Sequence, residues 1–275
     1  LDQTNLSNAE ENSNEYSKII DIAKAKLEHG FLSQLDYQKI LLQRIDYIRD
    51  IENNKLMLVQ DKEALALLLA LPNTNFDIEY RSESYSLPKI ETLYTNILNR
   101  PDCKAAKKNQ EVANSVLTLE KANAVPNVSV GFEYASFGPT YEPLAGINFG
   151  IAIPIYDRNE GDIERARIGT LQSVNIYDKT IRTAQSEIAQ SYQEVLSTQK
   201  IYNQMIEGFS AAKDLKEKQE KIFALKGMSI LEFLDGQKSY REFQRSLNES
   251  QFNLYMAIGH LKLNSGLDLV NSKGQ

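Results

Sequence analysis

The chain has 275 residues with 31 Lys and Arg against 37 Asp and Glu, a net charge of −6. That excess of acid argues against a nucleic-acid partner, because phosphates are neutralised by Lys and Arg. With no Trp and only 13 Gly and 7 Pro, the chain is poor in breakers and favours long uninterrupted elements over the one or two compact domains that length alone suggests. The single cysteine, Cys103, excludes an intrachain disulfide scaffold. With only His29 and His260 beside it, no soft-ligand metal site is expected. No run of about 18 apolar residues encodes a membrane-spanning helix. The opening Leu-Asp-Gln-Thr-Asn-Leu-Ser-Asn lacks the basic-then-apolar order of a signal peptide.

In chain order, Leu41, Ile45, Ile48 and Ile51 recur at spacings of three and four, followed by Ala64, Leu65, Leu68 and Leu69, with Pro72 as the stop. Residues 1–71 are thus read as a helical hairpin with its tip near 30–33, and 72–88 as a connecting segment. Helices are predicted over 89–124, broken at Arg100-Pro101-Asp102.

Over 127–156 the period changes from helical to two. Val128, Val130, Phe132 and Tyr134 alternate with Ser129, Gly131, Glu133 and Ala135, and Ile147, Phe149, Ile151, Ile153 and Ile155 alternate with small or polar residues. The run from Phe137 to Pro143 supplies the turn of a hairpin. Strands of this length, flanked by Tyr134, Phe137, Tyr141 and Tyr156, match those of a membrane β-barrel. A soluble hairpin packed on a helix satisfies the same alternation.

A long helix over 158–225 follows. Val174, Ile181, Ile188, Val195 and Tyr202 fall seven apart, with Tyr177, Ala184, Ser191, Thr198 and Met205 at the second seam position. After a tip at 226–230, Phe233, Tyr240, Leu247, Leu254 and Leu261 repeat the spacing in a return helix over 231–265. These are coiled-coil seams, and 158–225 as one helix reaches about 100 Å. Residues 268–275 form a tail.

The chain also repeats internally. Gly30-Phe31-Leu32-Ser33-Gln34-Leu35-Asp36-Tyr37 can be laid over Gly227-Met228-Ser229-Ile230-Leu231-Glu232-Phe233 with one residue deleted, while Asp36 with Glu232 and Ala70 with Gly266 share an offset of 196. A period that long points to duplication of a half rather than to a solenoid. Residues 1–71 then read as the end of a first copy and 89–267 as a second, with roughly a hundred residues of the first copy and any signal sequence expected before residue 1. On that expectation the lack of a signal peptide loses its weight.

Asn99-Arg100-Pro101-Asp102 with Ala105-Ala106, Val125-Pro126-Asn127-Val128, Ile153-Pro154-Ile155-Tyr156-Asp157-Arg158-Asn159 with Gly161, the two glycine-to-acid turns and Leu234-Asp235-Gly236-Gln237 together resemble the TolC-like family of outer-membrane efflux proteins, over essentially the whole chain. Asp157 to Gly161 most resembles the heavy-metal branch, the cobalt-zinc-cadmium and copper resistance systems. The resemblance implies a mainly α fold, with long antiparallel coiled-coil helices and a hairpin that gives two strands of a barrel.

It also implies a homotrimer in the outer membrane of a Gram-negative bacterium, in contact with outer-membrane lipid, its helices in the periplasm. A periplasmic adaptor and an inner-membrane pump are the implied partners, and metal cations or small toxic compounds the exports. The family's tunnel-entrance acids carry over to Asp36, Glu232 and Asp235, and its adaptor contacts to Gly30, Leu32, Ser33, Gly227, Met228 and Ser229. The same residues also read structurally, the glycines as helix C-terminal caps and the acids as partners of helix N-termini. No nucleotide loop, zinc-protease motif or nucleophile elbow is present, so no catalytic residue and no cofactor is expected. The rival reading is a soluble coiled-coil periplasmic adaptor or scaffold.

Overall fold

The structure is a computed structural model and describes residues 1–74, 76, 85–135, 144–153, 155–225 and 227–267. Its elements are α1 (Asp2–Glu28), α2 (Gln34–Leu68), α3 (Ile90–Thr95), a 3-10 turn (Ile97–Asn99), α4 (Pro101–Asn123), β1 (Val128–Ala135), β2 (Leu144–Ile151), α5 (Glu160–Ala224) and α6 (Ile230–Ser265). The turn expected at Phe137–Pro143, the tail at 268–275, most of the 72–88 connection and one residue of the 226–230 tip lie outside the described residues. The chain divides into two compact units. One holds Leu1–Leu87 and Gln190–Leu263, the other Pro88–Ala189 with Asn264–Leu267.

Long helices form because the heptads give each a continuous apolar seam. All ten seam residues of α5 are buried or half-buried, with Ala184, Ile188, Ser191 and Val195 fully enclosed, and in α6 Phe233, Tyr240, Leu254 and Leu261 are buried. Helix α2 forms as expected, but the stripe that signalled it is turned outward. Leu41, Ile45 and Ile48 are exposed, while Ile40 and Tyr47 are buried. Periodicity marks an apolar face without saying what covers it.

In the first unit, the core joins α1 (Tyr16, Ile19, Ala23), α2 (Ile40, Tyr47), the end of α5 (Phe223) and the start of α6 (Ile230, Phe233). Tyr16 stacks on Tyr47 at 4.4 Å between centroids, and its hydroxyl donates to the Ile40 carbonyl at 3.0 Å. Phe223 stacks on Phe233 at 4.2 Å, and the Lys26 ammonium lies 4.5 Å over the Phe223 ring and donates to the Phe223 carbonyl.

In the second unit, Arg100 ends the 3-10 turn and Pro101 starts α4, where its missing N–H is harmless. The Arg100 guanidinium donates to Asp102 at 3.0 and 2.8 Å, to Glu187 at 2.7 Å and to the Asn264 carbonyl at 2.8 Å. Asn96 donates to the Ser265 carbonyl at 2.9 Å, so these two side chains satisfy the last carbonyls of α6. Asn159 precedes α5 with φ +59°. Its side-chain amide donates to both the carbonyl and the carboxylate of Glu120, each at 2.8 Å, and its N–H donates to the Asp157 carboxylate at 2.8 Å. Asn is among the few residue types that tolerate this backbone region.

Strands β1 and β2 pair antiparallel, Val128 opposite Ile151 through Ala135 opposite Leu144. The alternative of a hairpin packed on a helix of this chain is not met among the described residues. Val128, Val130, Phe132, Tyr134, Ile147, Phe149 and Ile151 share one face and all are exposed, Phe132 at 84%.

Candidate functional site

The two turns that carry the residues singled out from sequence both belong to the first unit. At the first, α1 ends in a left-handed cap. Gly30 has φ +73°, its N–H bonds to Leu27 at 3.0 Å, and the Phe31 N–H bonds to Lys26 at 2.7 Å, the paired bonds of a Schellman motif. Ser33 then caps α2. Its hydroxyl accepts from the Asp36 N–H at 3.0 Å and donates to the Asp36 carboxylate at 2.8 Å.

The second turn repeats this chemistry. The Glu232 N–H donates to the Ser229 hydroxyl, and the Ser229 N–H to the Glu232 carboxylate, each at 3.2 Å. This reciprocal pair is a capping box. Its signature, Ser-x-x-Asp and Ser-x-x-Glu, stood in the sequence and was missed.

The hydrogen bonds also correct the alignment of the repeat. Gly227 N–H bonds to the Ile222 carbonyl at 3.0 Å as Phe31 bonds to Lys26, and Phe233 N–H bonds to Ser229 at 3.1 Å as Tyr37 bonds to Ser33 at 3.0 Å. Phe31 therefore matches Gly227, Ser33 matches Ser229 and Asp36 matches Glu232, all at an offset of 196 with no deletion. Matching glycine to glycine was the error. Gly30 is the left-handed residue of its turn, whereas Gly227 lies one position further on and makes the bond that Phe31 makes in the first turn. A Cβ at Gly227 would meet Ile222 Cγ2 at 2.9 Å, while one at Gly30 would meet nothing within 4 Å.

Of the sequence-predicted residues, Leu32 and Met228 pack half-buried against the shared core. Gly30, Ser33, Gly227 and Ser229 are exposed, as are Glu232 and Asp235, and Asp36 is half-exposed. The Ser33 hydroxyl, and then the Lys39 ammonium 3.1 Å away, hold the Asp36 carboxyl below its ordinary value. Sequence reasoning missed two apolar neighbours, one before Asp36 and one before Glu232. Leu35 and Leu231, also 196 apart, occupy the same position between the capping Ser and its acid and are 63% and 65% exposed.

Below the turns, charged groups cross between helices. Lys216 on α5 is buried, pairs with Glu15 on α1 and lies 4.3 Å over the Tyr240 ring. Arg241 on α6 pairs with Asp50 on α2 at 2.7 Å. Burial pushes the Tyr47 hydroxyl up to about 12 and raises Tyr16 as well. Such pairs leave no local trace in a sequence, because their partners are 191 and 201 residues apart.

His260 Nδ1 lies 3.6 Å from the Glu194 carboxylate, His29 caps the end of α1, and Cys103 is buried. Among the described residues no group of three or more His, Cys, Asp or Glu is placed to hold a metal ion. No described helix is long and apolar enough to cross a membrane, which says nothing of a β-barrel.

No family model matches the chain. It is 27% identical over 191 residues to the solvent efflux pump outer membrane protein SrpC of Pseudomonas putida, covering 65% of this chain and 37% of that protein, and equally to the toluene efflux pump outer membrane protein TtgI of the same species. Among solved structures it is similar to CusC, described through its folding and transmembrane channel formation, with a TM-score of 0.83 and 21% identity over 96% of this chain and 64% of that one. The outer membrane protein VceC of Vibrio cholerae gives 0.80 and 18% over 96% of this chain and 66% of that one. The chain spans little more than a third of the curated relatives it matches. What the structural likenesses establish is the fold, a mainly α, TolC-like architecture of long helices with one β-hairpin.

Proposed function

We propose that the chain is part of an outer-membrane channel of a Gram-negative bacterium, the exit duct of a tripartite efflux system, and that it performs no covalent chemistry. The observation that carries this reading is the hairpin's exposed apolar face. Seven large apolar side chains on one face of two eight-residue strands need a non-aqueous cover, and a lipid bilayer around a closed barrel is the cover that strand length and alternation fit. The SrpC and TtgI likenesses support efflux as the task. The rival reading of a soluble adaptor or scaffold leaves that face in water.

The assembly is a homotrimer whose α2 stripe of Leu41, Ile45 and Ile48 is covered by a neighbouring copy. The turns meet a periplasmic adaptor, which links the duct to an inner-membrane pump, through Gly30, Leu32, Ser33, Gly227, Met228 and Ser229, with Leu35 and Leu231 as the apolar part of the contact. Asp36, Glu232 and Asp235 form acidic rings at the tunnel mouth. The serine caps explain why acids stand at two of these positions, whereas Asp235 lies a turn further on and carries the gate reading with least competition from helix capping. Metal cations are the substrate that the acids and the Asp157–Gly161 stretch favour, and small organic toxicants are the alternative that the pump relatives favour.

The test is fractionation of the full-length protein. Recovery from the outer membrane as a detergent-soluble trimer is expected, and a purely soluble monomer overturns the proposal. Sensitivity of a deletion strain to zinc, cobalt, cadmium and copper, set against toluene, separates the two substrate classes.

A further inference from the structure

The register of the hairpin sorts its residues into two unlike faces. Opposite the apolar face, three successive rungs pair Ser129 with Gly150, Gly131 with Asn148 and Glu133 with Gly146, and Ala135 with Leu144 closes the face beside the turn. Each of the three rungs carries one polar side chain and one glycine.

Two of these side chains lie flat on the ladder. Ser129 donates to the Gly150 carbonyl at 3.2 Å, and a Cβ at Gly150 would sit 2.8 Å from its hydroxyl. A Cβ at Gly131 would sit 2.4 Å from the Asn148 side-chain oxygen. Glu133 behaves differently. A Cβ at Gly146 would meet nothing within 4 Å, so the Glu133 side chain does not fold over its glycine. It is exposed, has no hydrogen-bond or ion-pair partner among the described residues, and is the one charged side chain among the described residues of the two strands.

We propose that Glu133 adds a second determinant to the charge selectivity of the conduit, apart from the acids at the tunnel mouth, its carboxylate projecting into the water-filled lumen and favouring cations over anions. The inference rests on the channel reading above. Glu133 shares a rung with Gly146 and is flanked on the opposite face by Phe132 and Ile147, so it lies at the depth of the apolar band. A bare carboxylate at that depth requires water on its own side of the sheet. Inside a low-dielectric wall the field of an unpaired charge is focused along the path rather than dissipated, and rings of Asp or Glu confer cation preference in this way. Ser129 and Asn148, the other polar groups on the face, are neutral and add no opposing charge.

The test uses the full-length protein in a planar bilayer, reading the K⁺/Cl⁻ permeability ratio from the reversal potential under a KCl gradient at low salt. Glu133→Gln is expected to lower the ratio roughly two-fold and Glu133→Lys to lower it further, the differences narrowing near 1 M salt, where the screening length falls to about 3 Å. Equal ratios in all three proteins, with a conducting wild type, overturn the role of Glu133 and leave the channel reading standing. A wild type that inserts without conducting overturns both. Glu133→Cys should react with a membrane-impermeant thiol reagent from the aqueous side while Phe132→Cys does not, and the reverse pattern overturns the face assignment without reference to current.

Discussion

The Arg241 guanidinium on α6 reaches the Asp50 carboxylate on α2 at 2.7 Å, with the arginine side chain 15% exposed and the aspartate 42%. The same guanidinium lies 4.1 Å over the Tyr47 ring, and its Nε is buried without an acceptor among the described residues. Arg241→Ala removes both contacts and is expected to destabilise the chain by about 1–3 kcal/mol, since Asp50 can still rehydrate. Asp50→Asn is expected to cost less. Arg241→Met combined with Asp50→Asn should fall close to wild type, because an apolar side chain of similar length avoids the desolvation of an incompletely satisfied cation. Urea unfolding followed by circular dichroism checks the ordering.

The two turns share the bond from the acid's N–H to the capping Ser hydroxyl and differ in how they fail. Ser33→Ala and Ser229→Ala each remove a capping hydroxyl and should cost about 1 kcal/mol. Gly30→Ala should cost about 1 kcal/mol through backbone strain alone, with no second-site remedy, because φ is +73° and the surrounding space is empty. Gly227→Ala instead meets Ile222 and should be relieved by Ile222→Ala, which removes the obstructing methyl. Thermal melts of the single and double variants distinguish strain from collision.

Ala70, after α2, has φ +51°, and Gly266, after α6, has φ +65°. They are repeat equivalents at the offset of 196, so one copy holds a strained alanine where the other holds glycine. Ala70→Gly is expected to stabilise by about 0.5 kcal/mol, the relief of left-handed strain exceeding the added freedom of the unfolded chain. Gly266→Ala should destabilise, although a Cβ there would only touch Asn96 Nδ2 at 3.6 Å. Denaturant midpoints moving in opposite directions are the signature.

Arg100 joins α4, α5 and the last turn of α6 through its fork of donors. Arg100→Lys cannot reproduce two-pronged donation to Asp102 while also reaching Glu187 and Asn264, and is expected to cost about 2 kcal/mol, with Arg100→Ala costing about 3. The guanidinium holds the Asp102 carboxyl below its ordinary value, opposed by partial burial. Because the folded value is depressed, the stabilisation is present above pH ~4 and is lost as pH falls through the depressed value. Stability measured from pH 6 to pH 2 should therefore fall less steeply in Arg100→Ala than in wild type.

Where neighbours in sequence are neighbours in space, the fold was legible. The seams from Val174 to Tyr202 and from Phe233 to Leu261 are enclosed because a seven-residue period on a helix is a geometric statement about one face. Ile45 and Ile48 obey the same kind of period and are exposed, since the period carries no information about the partner surface. The repeat was visible in Asp36 and Glu232 but was set one residue out at the glycines. Conformation rather than residue type defines equivalence in a turn, and Phe31 and Gly227 perform the same hydrogen bond with unlike side chains. Lys216 with Glu15 and Arg241 with Asp50 were illegible, because a cation on one helix finds its carboxylate only once helices distant in the chain are packed.

The rungs that pair a glycine with a polar residue bear on how rigid a surface the hairpin offers to water. At Gly146 the peptide groups are bare, whereas the Asn148 side chain lies over Gly131 and the Ser129 hydroxyl over Gly150, where Ser129 is tied to the sheet by its own hydrogen bond. Such a wall has few rotamers to reorganise, so its contour follows the strand backbone and two short side chains laid against it. A solute moving along it would meet a low relief in which Glu133 is the one charged projection among the described residues of those three rungs.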